Sequence, residues 1–116
     1  MSTRRVPTLS ALAAALALAA LASTAGAADD AAQRALGKKL FTEAAVPACA
    51  LCHALKDAGA EGAVGPVLDE IKPDAARVAK ALRDGLGQMP SYKGRLTEEQ
   101  IAALANYVSK ASGGAP

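Results

Sequence analysis

Cys49-Ala50-Leu51-Cys52-His53 gathers the only two cysteines and the only histidine of this 116-residue chain. Two thiols three positions apart can add to the two vinyl groups of one haem, forming two thioether bonds. The histidine that follows is then placed to ligate the iron, and C-x-x-C-H reads as c-type haem attachment. The same residues leave a thiol redox pair, a zinc site or a lone structural disulfide open. Structural zinc takes four Cys or His ligands, and this chain offers three. A thioredoxin-like site needs a βαβ context, which the sequence lacks.

The second chemical group is Met89, in Gln88-Met89-Pro90. It is the only methionine besides Met1. A neutral, polarizable thioether is a good sixth ligand for haem iron and favours the reduced state. The ordinary reading of a single Met is a gap-filler in an apolar core. Met89 instead lies on a Gly-flanked loop, outside any amphipathic stripe and followed by Pro. If a haem is present, that placement points to axial ligation by Met89.

The N-terminus predicts the compartment. Arg4 and Arg5 form a short basic region, Leu9 to Leu21 is almost all Ala and Leu, and Ala25-Gly26-Ala27 follows. This is the layout of a secretory signal peptide over residues 1–27, with an ordinary Sec route and a periplasmic destination. The apolar run is short and Ala-rich for a transmembrane span, so no span is expected in the mature form. The precursor carries 13 basic and 11 acidic residues, a formal charge of +2. Loss of Arg4 and Arg5 brings the mature chain to zero. No basic cluster with interleaved aromatics exists, which argues against nucleic acid as a partner.

Residues 28–116 form one domain, with one Phe, two Tyr and no Trp. Such a small, Ala-rich chain has little apolar surface to bury on its own. A bound haem would supply the missing core, so the apo chain is expected to be largely unfolded. The pattern is all-α. Asp30 to Glu43 carries Ala32, Leu36, Leu40 and Phe41 at helical spacing. Ala58 to Pro66 is a Gly-rich loop, and Val67 to Ile71 offers a helical turn or two. Asp74 opens a helix with Ala75, Val78, Ala79 and Leu82 on one face, ended by Gly85. Thr97-Glu98-Glu99-Gln100 is a capping box that opens the last helix, with Ile101, Leu104, Ala105 and Val108 inward. Ser112-Gly113-Gly114 reads as a frayed tail. Lys38-Lys39, Asp69-Glu70 and Glu98-Glu99 read as solvated or helix-terminal charges.

Taken in order, these residues resemble a class I monohaem c-type cytochrome, and the resemblance covers essentially all of residues 28–116. Gly37-Lys38-Lys39-Leu40-Phe41 looks like that family's first helix, where a Gly and an aromatic meet the last helix at Leu104 and Tyr107. Cys49 to His53 matches the haem-binding motif, and Gly87-Gln88-Met89-Pro90 the axial Met segment. Gly65-Pro66-Val67-Leu68 looks like the loop whose Pro66 carbonyl accepts the histidine Nδ1–H. The implied fold is a small cytochrome c fold: three main helices plus short helical turns around one covalent haem c with its iron. Two departures stand out. The gap from Phe41 to Cys49, with Val46 and Pro47, is longer than usual and should bulge near the thioether edge. With no Trp to hydrogen-bond a propionate, that role is expected of Tyr92, a Lys or backbone N–H groups.

The resemblance implies an electron-transfer protein rather than an enzyme. Its partners would be a dehydrogenase donor and a cytochrome or oxidase acceptor, or an oxidoreductase subunit with which it forms a heterodimer. Cys52 to Ala60, continuing to Gly65-Pro66, is similar to cytochrome subunits of periplasmic sulfite dehydrogenases. Two other classes stay open on the residues alone: a haem enzyme or gas sensor with a displaceable Met89, and a haem-free thiol or metal protein.

Overall fold

The computed structural model describes the backbone of residues 9–115 and the side chains of residues 24–115. Arg4 and Arg5 of the expected leader lie outside the described residues. The chain divides into two contact units, Met1–Ala31 and Ala32–Pro116. In the first, the described backbone is helical from Leu9. Among the described residues no helix is long and apolar enough to cross a membrane.

The first helix, α1 (Leu9–Lys39), starts well before the Asp30 expected from periodicity and ends in a π-helical turn, Leu40–Ala44. The π turn absorbs extra chain before the Cys motif while keeping Leu40 and Phe41 buried. A cis Val46–Pro47 peptide follows. Gly37 sits where an added Cβ would lie 2.4 Å from Tyr107 Cβ and 2.5 Å from the Ala103 carbonyl oxygen. Only glycine permits that approach of α1 to the last helix. The Phe41 and Tyr107 rings meet edge to face, centroids 6.1 Å apart, as their opposed quadrupoles favour.

Two helices carry most of the remaining core. In α3 (Ala75–Asp84) the Asp74 side chain caps the start by accepting from Arg77 N–H at 2.7 Å, and Gly85 at φ +73° ends it. In α4 (Glu98–Ser112) the Thr97 hydroxyl accepts from Gln100 N–H while the Gln100 side chain accepts from Thr97 N–H. The short α2 (Leu68–Ile71) precedes them. The α3 and α4 helices pack on each other and are also joined by Arg83–Glu98 at 2.7 Å. Phe41, Leu55, Leu82, Ile101, Leu104 and Tyr107 are the largest apolar side chains with essentially no exposure. The inward positions expected on α4, Ile101, Leu104, Ala105 and Val108, are all buried.

Three segments differ from the sequence expectation. A small antiparallel hairpin, β1 (Ala54–Leu55) with β2 (Ala60–Glu61), lies inside what reads as loop, joined by a 3-10 turn at Lys56–Ala58. Strands of two residues leave no alternation to detect. The tail past Ser112 is docked, not frayed. Gly114 N–H bonds the Ser109 carbonyl, and the Ala115 carbonyl accepts from Ala75 N–H and from the Ser109 hydroxyl. It thereby satisfies an otherwise free amide at the start of α3. Lys38 and Asp69, expected as solvated charges, are both engaged: Lys38 Nζ donates to the Asp57 carbonyl and Asp69 accepts from Lys56 N–H, each at 2.8 Å.

Candidate haem site

The pentapeptide is wound into one tight turn. Cys49–Leu51 is a 3-10 turn, and the N–H groups of Cys52 and His53 both return to the Cys49 carbonyl. Side chains three apart on such a turn eclipse each other, so the two sulfurs share one side. Cys49 and Cys52 are not joined in a disulfide. They differ in environment: Cys49 is buried and Cys52 half-buried. Burial pushes the Cys49 thiol up to about 11.

His53 is held by its ring. Its Nδ1 lies 2.8 Å from the Pro66 carbonyl, an acceptor only, so Nδ1 carries the proton and the Nε2 lone pair is the one left to bind a metal. The loop that brings Pro66 there is tied to the motif itself. Val64 and Gly65 N–H groups both bond the Cys52 carbonyl, at 3.1 and 2.7 Å. Gly65 lies flat against the imidazole: an added Cβ would be 2.5 Å from Cε1 and 2.8 Å from Nδ1. Gly62 is as tight against the motif backbone: an added Cβ would be 2.5 Å from the Cys52 carbonyl carbon and 2.6 Å from His53 N. The glycines expected only as loop breakers therefore act as contact surfaces for His53.

Met89 sits on a different loop. Leu86 and Met89 exchange N–H···O bonds of 3.0 Å, closing a turn in which Gly85 and Gly87 take positive φ. An added Cβ on Gly85 would be 2.9 Å from the Met89 carbonyl oxygen. Met89 is half-buried and packs against the core cluster that includes Cys49 and Tyr92.

Tyr92 departs from its expected place at a propionate. It is 3 % exposed, and its hydroxyl donates to the Pro47 carbonyl at 2.7 Å. A phenol has one proton to give, and Pro47 takes it. Its burial, with the neighbouring Cys49 and Cys52 sulfurs, pushes its pKa up to about 12. Arg95 reaches the adjacent Val46 carbonyl at 3.2 Å. The extra residues between Phe41 and Cys49 are thus pinned by the segment just after Met89, with Val46 left 74 % exposed as the expected bulge. The structure brings Cys49, Pro47 and Tyr92 together, and separately His53, Gly62, Gly65 and Pro66.

One group has no forewarning in the sequence. Asp57 accepts from the Tyr107 hydroxyl at 2.7 Å and from Arg34 at 2.8 Å, with Lys38 on its carbonyl. The Tyr107 hydrogen bond, then the Arg34 and Lys38 charges, hold its carboxyl below the usual range against the opposing effect of burial. The Arg34 guanidinium also stands 5.8 Å from the Tyr107 ring centroid. These partners are 23 and 50 positions away, beyond any local pattern.

The donor set fits a haem. His53 presents a single oriented nitrogen, and the thiols share one side of their turn. Each loop carrying a candidate contact residue also exposes a large apolar side chain: Leu51, Val64 and Leu86 are 68, 67 and 71 % exposed. A flat apolar ring would shield such surface. Among the described residues no three His, Cys, Asp or Glu side chains gather as a metal cage.

The family described as cytochrome C oxidase, cbb3-type, subunit III matches residues 32–108. Cytochrome c-551 of Halorhodospira halochloris is 32 % identical over 73 residues, covering 62 % of this chain and 92 % of that protein. The crystal structure of the c-type cytochrome SorU from Sinorhizobium meliloti superposes with a TM-score of 0.67 at 53 % identity, over 72 % of this chain and 94 % of that one. The all-α fold read from the sequence is the fold found there. The chain belongs to this family of monohaem c-type cytochromes, electron carriers with a covalently bound haem c and its iron.

Proposed function

We propose that this protein is a periplasmic one-electron carrier whose single haem is bonded to Cys49 and Cys52 and ligated by His53 and Met89. The observation that carries the reading is the His53 ring, with Nδ1 on the Pro66 carbonyl at 2.8 Å and Gly65 packed beneath it. That bond fixes the tautomer, orients Nε2 and raises its basicity, as the outer partners of metal-bound histidines do. When bound, haem iron supplies the reversible one-electron couple. The chain's residues supply the rest. Cys49 and Cys52 would hold the haem through one thioether bond each, an addition that keeps every atom and consumes no oxidant. The neutral sulfur of Met89, as the second iron ligand beside His53, would raise the potential relative to a second imidazole. A His53 and Met89 pair committed to holding the iron supports electron transfer over catalysis.

Residues 1–27 serve as a leader removed on export, a role supported by the Arg4-Arg5, Ala/Leu and Ala25-Gly26-Ala27 sequence pattern. Electrons come from a dehydrogenase and leave to a cytochrome or oxidase. The stretch Cys52 to Pro66 supports a sulfite-oxidising dehydrogenase as donor, with this chain as its haem partner or subunit. The test is expression with its leader in a host able to attach haem. The purified chain should begin near Ala28 and carry one acid–acetone-resistant haem. Cys49→Ala with Cys52→Ala should abolish holoprotein. Colourless wild-type protein from that host contradicts the proposal.

A further inference from the structure

We propose that Asp57 is a positioning residue: it anchors the tip of the β1–β2 hairpin and so holds the His53–Pro66 hydrogen bond in register. The inference rests on His53 being the haem ligand. His53 and Pro66 are 13 positions apart, and the chain between them is this hairpin and its return loop. The return arm lies on the motif, through Gly62 against Cys52 and His53 and through the Val64 and Gly65 amides on the Cys52 carbonyl. Any swing of the hairpin therefore moves the donor and the acceptor of the bond relative to each other.

The hairpin cannot hold itself. Its ladder is two pairs long, Ala54 with Glu61 and Leu55 with Ala60, far short of an independently stable ribbon. Leu55, in the pair next to the turn, has no exposure, and Ala58 of the turn packs on the same core. Apolar contact is non-directional and does not by itself set the orientation of the tip. Asp57, in the turn at the tip, supplies the direction. One carboxylate oxygen takes Tyr107 of α4 and the other takes Arg34 of α1, while its carbonyl takes Lys38 of α1. Three donors from two helices hold the tip, and Lys56 N–H on Asp69 ties it to α2. Charge-assisted bonds to a carboxylate are the stronger kind. The orientation they enforce bears on the bond from His53 Nδ1–H to the Pro66 carbonyl, which sets how Nε2 would face a bound metal.

The test is hydrogen exchange by NMR on the reduced holoprotein, reading His53 Nδ1–H against the α4 backbone amides of Leu104 and Tyr107. Asp57→Ala removes both bonds that the carboxylate accepts, from Tyr107 and Arg34, and should speed Nδ1–H exchange about tenfold or more. The α4 amides should change less, because only the hairpin opens locally. The reduction potential should rise with the weaker bond, and Asp57→Glu should restore part of both effects. If Asp57→Ala does not accumulate, Tyr107→Phe removes a single bond and should speed Nδ1–H about threefold or more. Exchange at the wild-type rate, or acceleration only in step with the α4 amides, overturns the proposal while a covalent haem in the same samples leaves the ligand reading intact. A haem-free wild type overturns that reading, and the proposal with it.

Discussion

Tyr92 gives its hydroxyl proton to the Pro47 carbonyl, 2.7 Å away and 45 positions back along the chain. This contact makes the segment after Met89 a brace for the bulge before Cys49. Tyr92 also shares the buried core cluster with Cys49, so one side chain links the approach to the Cys49 turn with the Met loop. Tyr92→Phe should keep covalent haem and an unchanged visible spectrum but lose about 1 kcal/mol of stability, the ordinary worth of one hydrogen bond. Denaturant unfolding of the holoprotein measures it. A large shift in potential with unchanged stability would return Tyr92 to the propionate role.

Gly65 should be the least replaceable glycine for ligation. A methyl there falls 2.5 Å from the His53 ring, so Gly65→Ala must displace either the imidazole or the loop carrying Pro66. The expected result is poor holoprotein yield, or high-spin iron in what accumulates, read by absorption spectroscopy. Gly37→Ala meets Tyr107 and the Ala103 backbone instead, remote from the ring of His53. It should cost about 1–3 kcal/mol, as overpacking does, while leaving a low-spin spectrum.

Asp57 also gives the fold an acid dependence. Its carboxyl is held below the ordinary value in the folded chain, so the folded state binds fewer protons than the unfolded one through that range. Stability from this group is present above an unfolded pKa of about 3.9 and is lost as pH falls through the folded value. Its side chain is 30 % exposed, so solvent screening limits the effect to about 1 kcal/mol. Asp57→Asn should flatten the stability–pH curve on the acid side, measured by urea unfolding between roughly pH 3 and 7. An unchanged slope would show that the carboxylate is not coupled to folding.

What the sequence made legible was local. Asp74, Gly85, Thr97 and Gln100 announce α3 and α4 because a cap satisfies its own helix end with side chains a few positions away. The Cys49 to His53 turn, the Pro66 acceptor and the Gly37–Phe41–Tyr107 contact were also readable, the last two through the family resemblance. The rest depends on partners brought together only by the fold. Asp57 is one Asp among solvated charges until α1 and α4 close on it. Tyr92 reads as a rim residue until the π turn at Leu40–Ala44 puts Pro47 within its reach. The docked tail escapes notice because Gly113-Gly114 is the composition of a loose end, yet its carbonyls and amides close on Ser109 and Ala75.

The central claim is that Met89 would hold the haem iron together with His53, and the near-infrared absorption of the oxidised holoprotein tests it most directly. The account predicts a weak thioether-to-iron band in the wild type. Met89→Ala should lose that band, keep the covalent haem, lower the reduction potential and open the iron to carbon monoxide in the reduced state. A wild type without the band, or a Met89→Ala protein with unaltered spectrum and potential, would contradict it.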